Sequence, residues 1–254
     1  MKYLLALLLG ILTGGLLAIA IVVFNPLAAA PALSPVEASD NDLIVLNYSG
    51  VAEDALVHTN DGESSVKPQP ARVQQLWEPA VRQTDLTVTL LSDARNEPAG
   101  LGIKFASWSE STKLLSGQVM VDSLWYVYMP ERGSFVVGQQ ENRFEYFRDI
   151  VLPAHWSSSD SWKGQWRGNL TSGPGSLGTG VVAGGSGEFA DLRSAAIETL
   201  TARAYSTESG PVAAEGQLTI EVPGEPVPGE PATDLADTAS PADASAPVAA
   251  TETP

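Results

Sequence analysis

Between Glu145 and Arg167 the chain gathers Glu145, Tyr146, Arg148, Asp149, His155, Trp156, Trp162, Trp166 and Arg167. This is the mix a mostly apolar pocket uses, with aromatic walls and a few polar groups that orient a ligand. A carboxyl such as Glu145 or Asp149, held in an apolar cavity, has its charged form destabilised and its pKa raised, which suits it to proton transfer. Glu145, Tyr146, Asp149, His155, Trp162 and Trp166 are therefore the candidate ligand-binding set, and no residue is assigned a catalytic role. The same residues have a structural reading. In it the tryptophans fill a core, Arg148 and Asp149 pair on the surface, and His155 caps a loop. The two readings separate on whether Glu145, Asp149 or His155 points inward.

Other chemistries find little support. The chain has no cysteine, which excludes disulfides, thiolate metal sites and cysteine nucleophiles. His58 and His155 are its only histidines, and nothing is spaced to complete a zinc site with them, so neither a metal nor a cofactor is expected. Gly173, Gly175 and Gly178 spell the dinucleotide fingerprint, but Pro174 sits inside it and a glycine-rich strand follows where a helix is required. A turn is the better account. Gly184 to Glu188 reads G-x-S-x-E and is no nucleophile elbow. With a formal net charge of -16 and no basic residue after Arg203, nucleic acid and anionic lipid surfaces are poor partners.

The elements that must position any site are strands. Leu43 to Tyr48 is a short apolar strand. The stretch from Glu53 to Pro70 reads as a polar loop, and Val73, Leu76 and Trp77 fall at helical spacing over 72–81 before Pro79 ends the pattern. Then Leu86, Val88 and Leu90 alternate with Thr87 and Thr89, and Leu101, Ile103 and Phe105 alternate with Gly102 and Lys104. Val119 to Tyr128 and Ser134 to Val137 follow, joined by the turn Pro130 to Gly133. Glu141 to Val151 breaks the alternation and suggests one or two helical turns. Trp162, Gly164, Trp166, Gly168 and Leu170 share one strand face, opposite Lys163, Gln165, Arg167 and Asn169. Strands at Ile197 to Tyr205 and Gln217 to Val222 complete the series. Eight or nine strands with almost no helix favour an all-β antiparallel barrel or sandwich.

The ends are of another kind. Leu4 to Phe24 is 21 residues without a charge, enough to cross the roughly 30 Å hydrocarbon core as a helix. A cleaved signal is the rival, with the secreted product as its consequence. Lys2 is the only positive charge before Lys67, so the positive-inside rule puts the N-terminus in the cytoplasm and the body outside, in the periplasm of a cell with an inner membrane. The organisation expected is a transmembrane anchor over 1–25, a proline-bearing linker over 26–42, a β domain over 43–222, and a disordered acidic Pro/Ala-rich tail over 223–254.

Gly178 to Phe189, GTGVVAGGSGEF, reads as a tight hairpin folded back through Gly184, Gly185, Ser186 and Gly187, with Phe189 packed beneath the turn. Together with Gly216-Gln217-Leu218-Thr219-Ile220 it resembles the GGTGxFxGxxG signature of the allene oxide cyclase and dirigent-like barrels. Positions after Phe189 where that family often has glycine hold Ala190 or Asp191 and Ser194 or Ala195. The resemblance implies an antiparallel eight-stranded lipocalin-like barrel with a central cavity, and transfers no catalytic residue.

Three functions stay open. One is non-catalytic binding of a small apolar ligand or an envelope partner. Another is a cyclase or isomerase acting on an apolar substrate in the cavity, and the third is a structural part of a membrane complex. A cavity of roughly 300 to 1,000 Å³ with buried carboxylates favours binding or catalysis. An interior filled by tryptophans favours the structural role.

Overall fold

The computed structural model describes residues 2–24, 42–60, 63–66 and 84–222. The expected linker up to residue 41, the helix expected over 72–81 and the tail over 223–254 lie outside the described residues. Helix α1, Lys2–Phe24, carries a mean hydropathy of 2.6 across its first 20 residues. At 1.5 Å per residue it is about 34 Å long, so it is long and apolar enough to cross a bilayer.

The rest of the described chain is an antiparallel sheet. Its strands are β1 (Asp42–Ser49), β2 (Val57–Asn60), β3 (Glu63–Val66), β4 (Thr84–Ser92), β5 (Pro98–Trp108) and β6 (Met120–Met129). They continue with β7 (Gly133–Asn142), β8 (Ser161–Asn169), β9 (Thr171–Gly173), β10 (Gly180–Gly187), β11 (Arg193–Ser206) and β12 (Gly210–Val222). Eight of these form a closed ring in the order β1, β12, β11, β10, β7, β6, β5, β4. The closure between β1 and β4 is a single pairing, Asn47 with Ser92. Asn47 reinforces it by donating Nδ2 to the Asp93 carbonyl at 2.9 Å while its Oδ1 accepts from Gln217 at 3.0 Å. β8 pairs with the C-terminal half of β11 and β9 with the end of β7, so together they continue the slot that β10 fills at the other end.

The polar stretch expected as a loop holds β2 and β3 instead. β2 adds to the edge of β4, and buried Thr59 accepts the Leu86 N–H at 3.0 Å. Backbone pairing to a neighbouring strand overrides a composition that lacks apolar residues. The non-strand insertion lies where it was expected, as a run of helical turns from Phe144 to Trp156, entered through Asn142, whose Oδ1 accepts the Phe144 N–H at 3.0 Å.

Alternation sets which side chains enter the ring. On β6 the inward row is Ser123, Trp125, Val127 and Met129; on β7 it is Phe135, Val137, Gln139 and Glu141. Their register opposes Trp125 to Val137 and Val127 to Phe135. On β4 and β5 the inward row is the one poor in hydrophobics: Thr89 and Leu91, then Gly102, Lys104 and Ala106. Leu86, Val88 and Leu90 meet Phe105, Ile103 and Leu101 on the outside, and Leu90 is 67% exposed and Phe105 41%. A crowded ring interior leaves no room for a side chain at Gly102. A Cβ there would press on Trp125 and Leu91.

The hydrophobic core occupies one end of the ring, with Val127, Met129, Phe135, Val182, Phe189, Leu192 and Ile220. Gly184 to Gly187 do not make the turn by themselves. They extend β10 along β7 with a bulge between Gly184 and Ser186, and the reversal follows at Glu188 to Leu192, after Gly187 at φ +64°. Gly184 is required by close approach, because a Cβ would strike the carbonyls of Phe189 and Ala190. Phe189 packs beneath this loop, edge-on to Phe135 at 5.0 Å, with the Arg132 guanidinium 5.1 Å from its ring.

Candidate functional site

The other end of the ring is polar. Lys104, from the small-residue row of β5, places Nζ 2.7 Å from Glu141 Oε1 of β7 and 2.6 Å from Glu198 Oε1 of β11. Both carboxylates are fully buried. Glu198 also accepts the Trp125 indole N–H at 3.0 Å, the Tyr48 hydroxyl and the Gln139 amide. Gln139 accepts in turn from Thr171 at 2.9 Å, and Thr171 takes the backbone N–H of Glu198 at 2.7 Å. Glu141 Oε2 is held by Arg143 Nε at 2.9 Å and Nη2 at 2.8 Å, with the Arg143 side chain 30% exposed at the mouth. Two cations and two carboxylates thus balance in a network whose acceptors are saturated, the condition under which buried charge is tolerated.

The electrostatics follow from this pairing. Burial alone would raise the Glu141 carboxyl, but Arg143 and Lys104 outweigh it and hold the group well below the usual carboxylate range. Burial and the adjoining Glu198 carboxylate push the Tyr48 phenol well up, so it remains a protonated donor. Burial opposes the charge on Arg143, and Glu141 outweighs that and keeps the guanidinium cationic. The network is therefore a polar floor of paired charges.

Tyr48 reaches the floor across Gly216. The two residues oppose each other between β1 and β12, and the space a Cβ at Gly216 would take is filled by the Tyr48 ring, which packs edge-on to Trp125 at 4.9 Å. Gly216→Ala is therefore expected to displace the ring and cost about 1–3 kcal/mol by overpacking. Urea unfolding with near-ultraviolet dichroism of the aromatics checks this, and an unchanged midpoint and spectrum would refute it.

Above the floor lies a cavity of about 410 Å³, within the range of ligand sites. Its wall includes Tyr48, Lys104, Trp125 and Arg143 from the network, Tyr146 from the helical insertion, and Leu170, Leu200 and Pro211 as apolar surface. The Tyr146 hydroxyl is buried and has no hydrogen-bond partner, while its ring is fixed edge-on against Trp166 at 5.6 Å and Tyr205 at 6.2 Å. Burial, then Tyr205, pushes this phenol up, so it too stays a donor. A larger groove of about 660 Å³, lined by Asn47, Ser92, Thr199, Thr201 and Gln217, runs over the outer face near the closure. It is polar, and it shares Tyr48, Ser49 and Val51 with the cavity above the network.

Of the six residues singled out in the sequence, Tyr146 lines the cavity and Trp166 supports it from behind. Trp162 lies half-buried on β8, its ring folded over Gly164. Asp149 forms an ion pair with Arg148 at 2.6 Å. His155 is exposed, its Nδ1 2.9 Å from the Val151 carbonyl, and Glu145 is half-buried without lining the cavity. The buried network was not singled out, although part of it is visible as charge in an apolar row: Glu198 shares parity with Ala196, Leu200 and Ala202, and Glu141 with Phe135 and Val137. Lys104 carries no such signal, because its row is the less apolar one. Among the described residues no group of three or more histidine and acidic side chains is placed to hold a metal ion.

No family model matches the chain, and no curated protein matches it. Among solved structures, the Diels–Alderase AbmU from Streptomyces koyangensis is 11% identical and aligns over 78% of this chain and 75% of its own, with a TM-score of 0.34. A nonspecific haem-binding cyclase that catalyses a cycloaddition in neoabyssomicin biosynthesis is 10% identical over 78% of this chain and 73% of its own, with a TM-score of 0.32.

Proposed function

We propose that this chain is a cyclase or isomerase that takes a small, largely apolar molecule into the cavity at the polar end of the ring. The observation that carries the reading is that Tyr146, whose buried hydroxyl has no hydrogen-bond partner, lines the same cavity as Arg143. A buried donor left unsatisfied costs roughly 1–3 kcal/mol, and a ligand oxygen placed against it removes that cost. Tyr146 and Arg143 then stabilise negative charge developing on that oxygen as bonds reorganise elsewhere in the molecule. The apolar wall holds the chain folded so that its reacting atoms meet. No residue needs to gain or lose a proton, which agrees with a floor whose charges are locked in pairs.

The hairpin residues Gly184 to Phe189 and the strand Gly216 to Ile220 support placing it with the allene oxide cyclase and dirigent-like barrels. We further propose that α1 anchors the protein in the inner membrane with the β domain in the periplasm. The apolar length of α1 and the lone Lys2 before it support this.

The test is native mass spectrometry of the full chain extracted from membranes. The expected result is a co-purifying apolar molecule that exchanges with its isomer on incubation. Tyr146→Phe is expected to lower the rate of that conversion by about 10²-fold, the scale for one lost oxyanion donor, with the fold intact. A ligand that is bound yet recovered unchanged in every condition would make the protein a binder and refute the catalytic reading.

A further inference from the structure

Charge accounting around the cavity narrows the ligand. The cations on its wall are Lys104 and Arg143, and both are already committed: Lys104 to two carboxylates, Arg143 through Nε and Nη2 to one. Around the mouth stands Glu208 of the turn between β11 and β12, with His58 of β2 beside Thr87. Among the described residues no cation on the wall lacks a carboxylate partner. A ligand carboxylate would enter a site already balanced at its floor, with Glu208 beside its path. It would have to be desolvated without compensation, or take Arg143 from Glu141 and strand that buried carboxylate instead.

We infer that the molecule this cavity takes presents an uncharged acceptor, a ketone, ester or lactone carbonyl, to Tyr146 and Arg143, and that it is not an anion. The inference rests on the cavity reading above and specifies its substrate class. An uncharged carbonyl satisfies the free Tyr146 hydroxyl and the remaining Arg143 N–H groups without disturbing any ion pair. The saturated floor then acts as a filter, because an anionic end would leave one more buried charge than the site can pair.

The experiment uses the full chain in lipid nanodiscs, with empty discs as the blank, and two fluorescent probes on one ring system. One is an acyl-dimethylaminonaphthalene, whose ketone reports hydrogen bonding through its emission. The other is the corresponding dimethylaminonaphthoate. At neutral pH the ketone is expected to bind at least tenfold more tightly than the naphthoate. Tyr146→Phe should weaken the ketone and shift its emission, while Arg203→Gln, on the outer face, leaves both unchanged. On acidification the naphthoate should gain affinity in step with its own neutral fraction. Naphthoate binding as tight as the ketone at neutral pH would overturn the inference while leaving the cavity reading in place. Binding of neither probe above the blank would remove the cavity reading and the inference together.

Discussion

Lys104→Met is expected to destabilise the β domain by about 3–5 kcal/mol, the range for removing one partner of a buried ion pair. Lys104 Nζ is the contact shared by Glu141 and Glu198, so its loss leaves two fully buried carboxylates with Arg143 as their only cation among the described residues. Methionine keeps the stem's packing against Trp125, which isolates the charge from the volume. The double variant Lys104→Met/Glu198→Gln restores neutrality and is expected to recover more than half of the loss. Urea unfolding at neutral pH measures both, and a single variant within 1 kcal/mol of the parent would refute the network's role. The pH dependence has a definite sign. The folded Glu141 carboxyl lies well below the ordinary range, so its contribution is present above that range and is lost as pH falls through it towards the folded value. With Lys104 gone the depression is smaller, and the acid-side decline in stability becomes shallower.

Phe189→Ala is expected to cost about 3–5 kcal/mol, as for other buried aromatic truncations. Its ring is 3% exposed, and it closes the apolar end of the ring between Phe135 and the Arg132 guanidinium. Phe189→Leu keeps most of the volume and should cost about 1.5 kcal/mol or less. The contrast between the two, read from urea midpoints, separates packing from any effect on the loop. Equal small losses would mean that the Gly184 to Leu192 segment does not seal the core.

These two residues mark the limits of legibility. Phe189 was visible because hairpin chemistry is local: a run of glycines followed by a large aromatic after a period-two strand specifies backbone approach and packing within a dozen residues. Lys104 was hidden because its position depends on ring closure. On β4 and β5 the leucine, isoleucine and phenylalanine row reads as the core face, yet it lies outside, since the interior beside Gly102 is already filled by Trp125 and Leu91. The polar stretch around β2 conceals its strand for a related reason, as that strand exists by pairing with β4 rather than by its own apolar pattern. Tyr146 was flagged by aromatic density. That Tyr146 lines a cavity while Asp149 pairs with Arg148 instead depends on tertiary packing and not on local pattern.

By itself, then, the chain's order of residues determined the apolar span of α1, the absence of thiol chemistry, the antiparallel all-β class, most strand positions and the packing of Phe189 beneath the loop before β11. Each of these depends on neighbours in sequence, through periodicity, length or allowed backbone angles. The tertiary structure alone decided which face of β4 and β5 enters the ring, that Lys104, Glu141, Glu198 and Arg143 meet, and that Tyr48 crosses Gly216 to join them. These partners lie as far as 150 residues apart, and their meeting is set by strand register around a closed sheet, where a shift of one residue would turn every one of them outward.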